Sequence, residues 1–271
     1  MKKQIKQPLL GKILQKIAPR IGARVVMEPR WNIVGQIVYQ SGQKRYFRYS
    51  SLDLNPLGAS EIAKDKDYAN FFMKRMGYPV VPGSRTFYAP EWARAIGVQN
   101  RGIDDACRYA WKLGFPVVVK PNSGSQGAGV ALVYNQSECK RALRAIFRRD
   151  RIALVQRQVV GKDYRFVVLD DRVISVYERI QLNVVGNGGS TIAMLLREKQ
   201  RAFKISGRDT VIKTEDPRIS QKLRRQGLNL QSIPEKGNKV YLLDNANLST
   251  GGDSVDETKT AHSDFKAFSV R

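Results

Sequence analysis

The segment Phe115-Pro116-Val117-Val118-Val119-Lys120 and the loop after it restrict the fold more than any other part of the chain. The segment is a short apolar run of the buried-strand type that ends on a lysine. It passes into Pro121-Asn122-Ser123-Gly124-Ser125-Gln126-Gly127-Ala128-Gly129, and residues 130–134 read as a second strand. The glycine spacing fits neither the dinucleotide fingerprint nor the P-loop, where the lysine follows the glycines and a helix comes next. A hairpin of this kind presents backbone N–H groups to phosphate oxygens without side-chain obstruction, and Lys120 adds a point charge at the strand end. Taken alone, the segment is equally open to an ordinary flexible hairpin with a snorkelling lysine.

Strands and helices alternate irregularly around this hairpin. Leu10, Ile13, Leu14 and Ile17 predict an amphipathic helix over residues 8–18 that Pro19 ends, with β-type runs at 24–28, 33–39 and 44–48. Ser60 stands where an N-cap belongs, and Ile62, Ala69, Phe72, Met73 and Met76 follow at helical spacing until Gly77. A strand at 85–88 precedes a helix with Ile103, Ala106, Cys107, Ala110 and Trp111 on one face. Ser137 is expected to cap a helix with Ala142, Leu143, Ile146 and Phe147 inward. Residues 152–181 read as strands turning at Asp170-Asp171, Ser190 as the cap of a short helix, 197–234 as basic and irregular, and 239–243 as a last strand. The mixture predicts an α+β architecture.

Composition excludes several classes. With 42% apolar residues the chain is no disordered tail. No segment reaches the ~18 consecutive apolar residues of a membrane span, and Lys12 and Lys16 interrupt the apolar stretch of the N-terminus, against a secretory leader. The basic, acid-poor start also fits a transit peptide. Two cysteines, Cys107 and Cys139, are too few for a disulfide framework and read as reduced thiols of a cytoplasmic protein. One histidine, His262, and no Cys-x-x-Cys pair argue against a thiolate and imidazole metal site. The excess of 47 Lys+Arg over 24 Asp+Glu, a net charge of +23, is concentrated in residues 1–30, 140–151 and 197–225. Nucleic-acid binding would require those windows to converge with aromatic or base-reading residues between them; the alternative is solvated helix faces and loops.

About 35 residues past the lysine comes Leu154-Val155-Gln156-Arg157-Gln158-Val159-Val160-Gly161-Lys162-Asp163-Tyr164-Arg165, a strand that crosses a short connection and turns at Gly161. Backbone groups there can pair with an adenine edge, and an acid past the glycine can accept from ribose hydroxyls. Together with Lys66 upstream, the order of segments resembles the ATP-grasp carboxylate–amine ligases. The nearest branch is the one containing cyanophycin synthetase and the glutathione-synthetase half of the bifunctional glutamate–cysteine ligase enzymes. The markers, from about residue 9 to 262, are IAKDK then GYPVVPG, FPVVVKPNSGSQGAGV, GKDYRFVVLDDRVISVYERI, VVGNGGSTI and NANLSTGGDSVDET.

The resemblance implies two α+β subdomains gripping ATP, with residues 1–55 as an N-terminal region and 56–271 as the ATP-grasp domain, subdivided at about 84–150 and 151–271. It implies nucleotide contacts from Lys66, Lys120, Ser123, Gly124, Ser125, Gln126, Gly127, Gly129, Gln156, Arg157, Val159 and Asp163, the hinge being 156–159 and Asp163 lying on the ribose. Arg179 and Arg165 would face the transferring phosphoryl group, a salt bridge of Arg165 with Asp163 or Asp170 being the alternative. Asn247, Ser249, Thr250 and Gly251 would meet substrate. The implied cofactors are ATP and magnesium, and the implied substrate is an amino acid or peptide, anionic by analogy with the branch. Gln156 and Asn187 stand where the family commonly has acids.

The sequence also departs from the family at its end. Asp253, Asp256, Glu257 and Asp264 lack the spacing of the family's metal ligands, and no Glu-x-Asn motif follows, which gives the expectation of a C-terminally truncated ligase or a fragment of one. Three classes stay open: a ligase working through an acyl phosphate, a catalytically inactive ATP-binding relative, and a basic nucleic-acid-binding protein on the same scaffold. A membrane partner is not expected, nucleic acid ranks below a small-molecule substrate, and a homo-oligomer is left open.

Overall fold

The computed structural model describes residues 9–270; the first residue of the expected helix over 8–18, and the lysines at 2, 3 and 6, lie outside it. Two compact units divide between Lys64 and Asp65.

In the first unit α1 (Leu9–Ile17) stops before Pro19, and β1 (Ala23–Met27), β2 (Val34–Tyr39), β3 (Lys44–Arg48) and β4 (Ser51–Leu52) form an antiparallel meander in that order. Ala18, Ala23, Ile37 and Phe47 are its buried centre, with Leu10 and Leu14 of α1 packed against them. The unit closes with α2 (Leu57–Lys64). The continuous helix expected from Ser60 to Gly77 is broken here. Asp65 takes an extended backbone and its carboxylate accepts from the N–H groups of Asp67 and Tyr68, so it caps a new helix. Ser60 lies inside α2 and caps nothing.

The second unit opens with that helix, α3 (Lys66–Arg75), followed by β5 (Arg85–Tyr88), α4 (Pro90–Ala95), α5 (Ile103–Leu113), β6 (Val117–Pro121), β7 (Ala131–Val133), α6 (Gln136–Phe147) and β8 (Ile152–Arg157). The strands make an antiparallel sheet in the order β5-β8-β6-β7. Ala106, Cys107 and Ala110 of α5 and Cys139, Leu143 and Ile146 of α6 cover one face of it, against Val117, Val119, Ala153 and Val155. Each large side chain fully buried in this way contributes about 1.5–3 kcal/mol. The two thiols carry no disulfide, and burial pushes both above the usual thiol range. Trp111, expected inward, is 65% exposed; the small residues Ala106 and Ala110 set the close approach of α5, and the indole lies beyond it. Asn135, not Ser137, caps α6, because its extended backbone lets Oδ1 accept from Glu138 N at 2.9 Å.

A second half follows, with β9 (Asp163–Leu169), β10 (Arg172–Ile180), β11 (Asn183–Val185), α7 (Ile192–Ile205), α8 (Pro217–Arg225), β12 (Lys239–Tyr241), β13 (Asp253–Asp256) and α9 (Ser263–Val270). The strands pair as β13-β10-β9 and β11-β12. Leu182, Val184, Ile192, Leu196, Phe203, Ile219, Leu223 and Leu242 form a separate core. The stretch expected to be irregular from 197 therefore contains the end of one helix and the whole of another. Their apolar positions are helically spaced, but dense Lys and Arg on the outer faces mask the period. Thr191 caps α7 in place of Ser190, which Asn187 holds in a tight turn through its N–H at 2.7 Å and its hydroxyl at 3.0 Å. Gly186 is required in that bend, since a methyl group there would stand 2.2 Å from the Glu235 carbonyl oxygen.

Candidate functional site

A cleft opens on the sheet face turned away from α5 and α6. Side chains alternate along a strand, so while Val117 and Val119 enter the core, Val118 and Lys120 lie on the opposite sheet face beside their cross-strand partners Gln156 and Leu154, and of these four Val118 lines the cleft. Among the described residues the Lys120 ammonium forms no ion pair or hydrogen bond. Its pKa is lowered to about 8, first by burial and then by the Lys66 ammonium. A half-buried cation that faces a second cation and has no anion of its own among the described residues is a poised anion site.

Lys66 is differently occupied. Its Nζ donates to the carbonyl oxygens of Asn122 (2.9 Å), Ser123 (2.9 Å) and Gly124 (3.1 Å) and straps down the start of the glycine loop. Burial lowers its pKa against the attraction of Asp150 and Asp65. Around the strap, Asn122 donates to Asp65 at 2.7 Å and accepts from Asp67 N at 3.0 Å. Burial, and then Asp65, raises the Asp67 carboxyl. Asp150 accepts from both the N–H (3.1 Å) and hydroxyl (2.5 Å) of Ser123. Beyond Ser123, where Ser125 is exposed, the loop runs through left-handed conformations at Gly124, Gln126, Gly127 and Gly129. At its tip a side chain on Gly127 would stand 2.6 Å from Asn245 Nδ2 and 2.9 Å from Asn247 Oδ1. The Gly127 carbonyl accepts from Arg218 Nη1 at 3.0 Å.

The cleft itself has a volume of about 290 Å³. Val118, Val130 and Leu132 form an apolar floor, residues 158–161 of the connection after β8 form one edge, and Arg218 and Asn245 stand on the opposite wall. Of the hinge expected at 156–159, Val159 lines the cleft. Gln156 is 93% buried on the sheet face of Val118, and among the described residues its Oε1 has no hydrogen-bond partner. Arg157 is exposed on the opposite strand face and is not part of the lining; its N–H donates to Pro82 O at 3.4 Å.

Asp163 and Arg179 are joined to each other. Arg179 Nε and Nη2 reach Asp163 Oδ1 at 3.0 and 2.7 Å, and Nη2 reaches Oδ2 at 3.0 Å. The cause is a bulge. From the turn, Leu169 pairs with Arg172 and Val168 with Val173, but Val167 pairs with Ser175, so Ile174 is an extra residue in β10. Without it Asp163 would face Glu178; with it Asp163 faces Arg179 and Arg165 faces Tyr177. Arg165 is exposed on the same strand face as Asp163, and forms no salt bridge among the described residues.

The Asn245–Gly252 stretch is held from behind. Arg208, stacked 3.9 Å over Phe203, donates to Leu248 O and Gly252 O at 2.6 Å each. Burial lowers the Arg208 pKa against the Asp253 carboxylate. Asn247 accepts from Asn245 at 2.8 Å, Thr250 Oγ1 donates to Asn247 O at 3.0 Å, Ser249 is exposed, and Gly251 takes φ +100°. Asn247 thus lies against the loop tip. Asp65, Asn122, Asp150, Arg208, Asp216 and Arg218 complete the site and were not expected in it. The one available signal was Asp216-Pro217, an N-cap followed by proline at the first helical position.

The carboxylates bordering these elements are committed: Asp163 to Arg179, Asp244 to Lys222, and Asp253 to Lys199 and Arg208. Among the described residues no three His, Cys, Asp or Glu side chains converge. Such a donor set does not fit a magnesium ion held by protein carboxylates.

The family model described as D-ala D-ala ligase C-terminus matches residues 64–187. Cyanophycin synthetase of Trichormus variabilis is 34% identical over 84% of this chain and 24% of its own length. The glutathione biosynthesis bifunctional protein GshAB of Clostridium perfringens is 35% identical over 57% of this chain and 21% of its own length. The chain therefore spans about a quarter of the curated relatives it matches. The crystal structure of a bifunctional glutathione synthetase from Pasteurella multocida superposes with a TM-score of 0.56 at 25% identity, covering 98% of this chain and 35% of that one.

Proposed function

Because the chain belongs to the ATP-grasp ligases, on the branch of cyanophycin synthetase and the bifunctional glutathione synthetases, we propose that its cleft binds ATP and that it joins a carboxylate to an amine. The observation that carries this reading is Lys120, a half-buried ammonium without a counter-ion at the mouth of a glycine loop. Phosphate oxygens would supply the missing anion, and the base would lie on Val118, Val130 and Leu132 against residues 158–161. Gln156 Oε1 is a buried acceptor in need of a donor, which the exocyclic amine of adenine provides.

In the proposed reaction the γ-phosphoryl group passes from ATP to the substrate carboxylate, giving ADP and an acyl phosphate. The amine then attacks the acyl carbon and loses a proton, the C–N bond forms as the C–O bond to phosphate breaks, and inorganic phosphate leaves with that electron pair. Lys120 offsets charge on the phosphates, the loop over it excludes water from the acyl phosphate, and Arg179 leaves Asp163 for the transferring group while Asp163 turns to the ribose. The substrates are an amino acid or peptide of anionic character, met by the cations of α7 and by the Asn247–Gly251 stretch, in the cytoplasm.

One observation favours a second reading, nucleotide binding without ligation: Arg179 is closed on Asp163 by three contacts. Two measurements separate the readings. ATP at millimolar concentration is expected to raise the melting temperature under both. Release of ADP and phosphate that requires an added acidic amino acid or peptide supports ligation; ATP binding with no such release supports the second reading, and no thermal shift defeats both.

A further inference from the structure

The cations of residues 217–225 have an arrangement that surplus surface charge does not explain. In α8 the apolar residues Ile219 and Leu223 are buried in the second core, while Arg218, Lys222 and Arg225, at i, i+4 and i+7, share the face that lines the cleft. Two of these three reach across to the glycine loop and to α6. Arg218 is held by Asp216 through Nε (3.0 Å) and Nη2 (2.6 Å), which leaves Nη1 to donate to the Gly127 carbonyl at the loop tip. Arg225 pairs with Glu138 at 2.9 Å at the start of α6, and its guanidinium lies 4.1 Å over the Tyr134 ring. Glu138 is fixed in turn by Tyr134 N at 3.0 Å. Each crossing contact is a single charge-assisted hydrogen bond, and Arg225 and Glu138 are partly buried, so they are screened less than an exposed surface pair. Lys222 stays on its own side, bound to Asp244.

We propose that α8 is a clasp across the nucleotide cleft, with Arg218 and Arg225 as positioning residues. They hold the glycine loop and the start of α6 closed over the site and release them for nucleotide exchange. Residues 158–161 provide the covalent hinge at the cleft edge; the two arginines provide its reversible fastening. This rests on the reading that the cleft takes ATP, and the test is chosen so that the two fail separately.

The experiment uses the full chain and a fluorescent N-methylanthraniloyl derivative of ATP, chased with excess ATP. Arg218→Ala and Arg225→Ala are each expected to speed dissociation about tenfold, the size of one lost charge-assisted hydrogen bond. Exchanging the pair, Arg225→Glu with Glu138→Arg, is expected to bring the rate back to within about threefold of the parent, a rescue that lost packing does not give. Without nucleotide, Arg218→Ala is expected to speed amide exchange at residues 123–129 and leave β6 and β8 unchanged. If the parent binds the probe and neither dissociation nor loop exchange moves in the variants, the clasp is overturned. If the parent binds no probe, the ATP reading falls, and loop exchange alone decides the clasp. Should Arg218→Ala fail to fold, the Arg225 and Glu138 exchange carries the test by the same dissociation rate.

Discussion

The two ends of the cleft have arrived at opposite electrostatic states. At the glycine-loop end Lys120 is half-buried and unpaired among the described residues, and burial, then the neighbouring Lys66 ammonium, lowers its pKa to about 8. At the β9–β10 end an arginine and an aspartate of comparable reach are closed on each other by three contacts. The first end has already met the desolvation cost of receiving an anion, so a phosphate gains there at once. The second end must break an ion pair before either partner can serve a ligand. If the cleft takes ATP as proposed, binding is expected in order, with phosphates first and the reacting group second.

The largest expected effect would break the second end. Arg179→Ala should lower substrate-dependent ADP release by about 10²–10³-fold, in line with loss of one preorganised transition-state donor, while ATP affinity changes little. Equal losses in binding and turnover would show that Arg179 already serves the ground state. Lys120→Met probes the first end: ATP affinity by calorimetry should fall about 30- to 100-fold, as for a charge-assisted contact. The nucleotide-free melting temperature should rise, because a half-buried charge without a partner has been removed.

The same lysine sets a pH dependence. Its folded pKa of about 8 lies below the ordinary lysine value of 10.5, so its charge destabilises the fold fully below pH 8. Between about 8 and 10.5 the unfolded chain holds the proton that the folded chain has released, so stability without nucleotide rises with pH in that window. Phosphate binding runs the other way and should weaken about tenfold per pH unit above 8. Both slopes should vanish in Lys120→Met. A smaller effect is expected from Gly127→Ala, which forces a methyl group against Asn245 at a left-handed position; overpacking of this kind costs about 1–3 kcal/mol, read by denaturant unfolding.

Much of the first end is legible in the sequence, because its chemistry is local. An apolar run terminating in Lys120, followed by four residues that tolerate left-handed backbone, states both the strand and the loop in fifteen letters. The second end is long-range. The turn at Asp170-Asp171 is readable, yet the partner of Asp163 depends on whether Ile174 is counted into the ladder, and no local propensity announces a bulge in the run Val173 to Val176. Asp65 was hidden for a similar reason: apolar spacing continues across it, and only the capping geometry reveals two helices. Arg218 and Arg225 lie in a stretch whose charge density obscures its helical period, so their role could emerge only from what faces them.

The buried thiols under α5 and α6 have a practical consequence. Cys107 and Cys139 lie in the core of the sheet that carries Lys120, and burial holds both as protonated thiols. An alkylating reagent attacks the thiolate, so it should modify neither residue until that half opens. The wild-type chain therefore contains its own chronometer. The labelling rate measured with and without ATP reports how often the half built on the β5-β8-β6-β7 sheet unfolds, with no engineered probe. ATP is expected to slow that labelling.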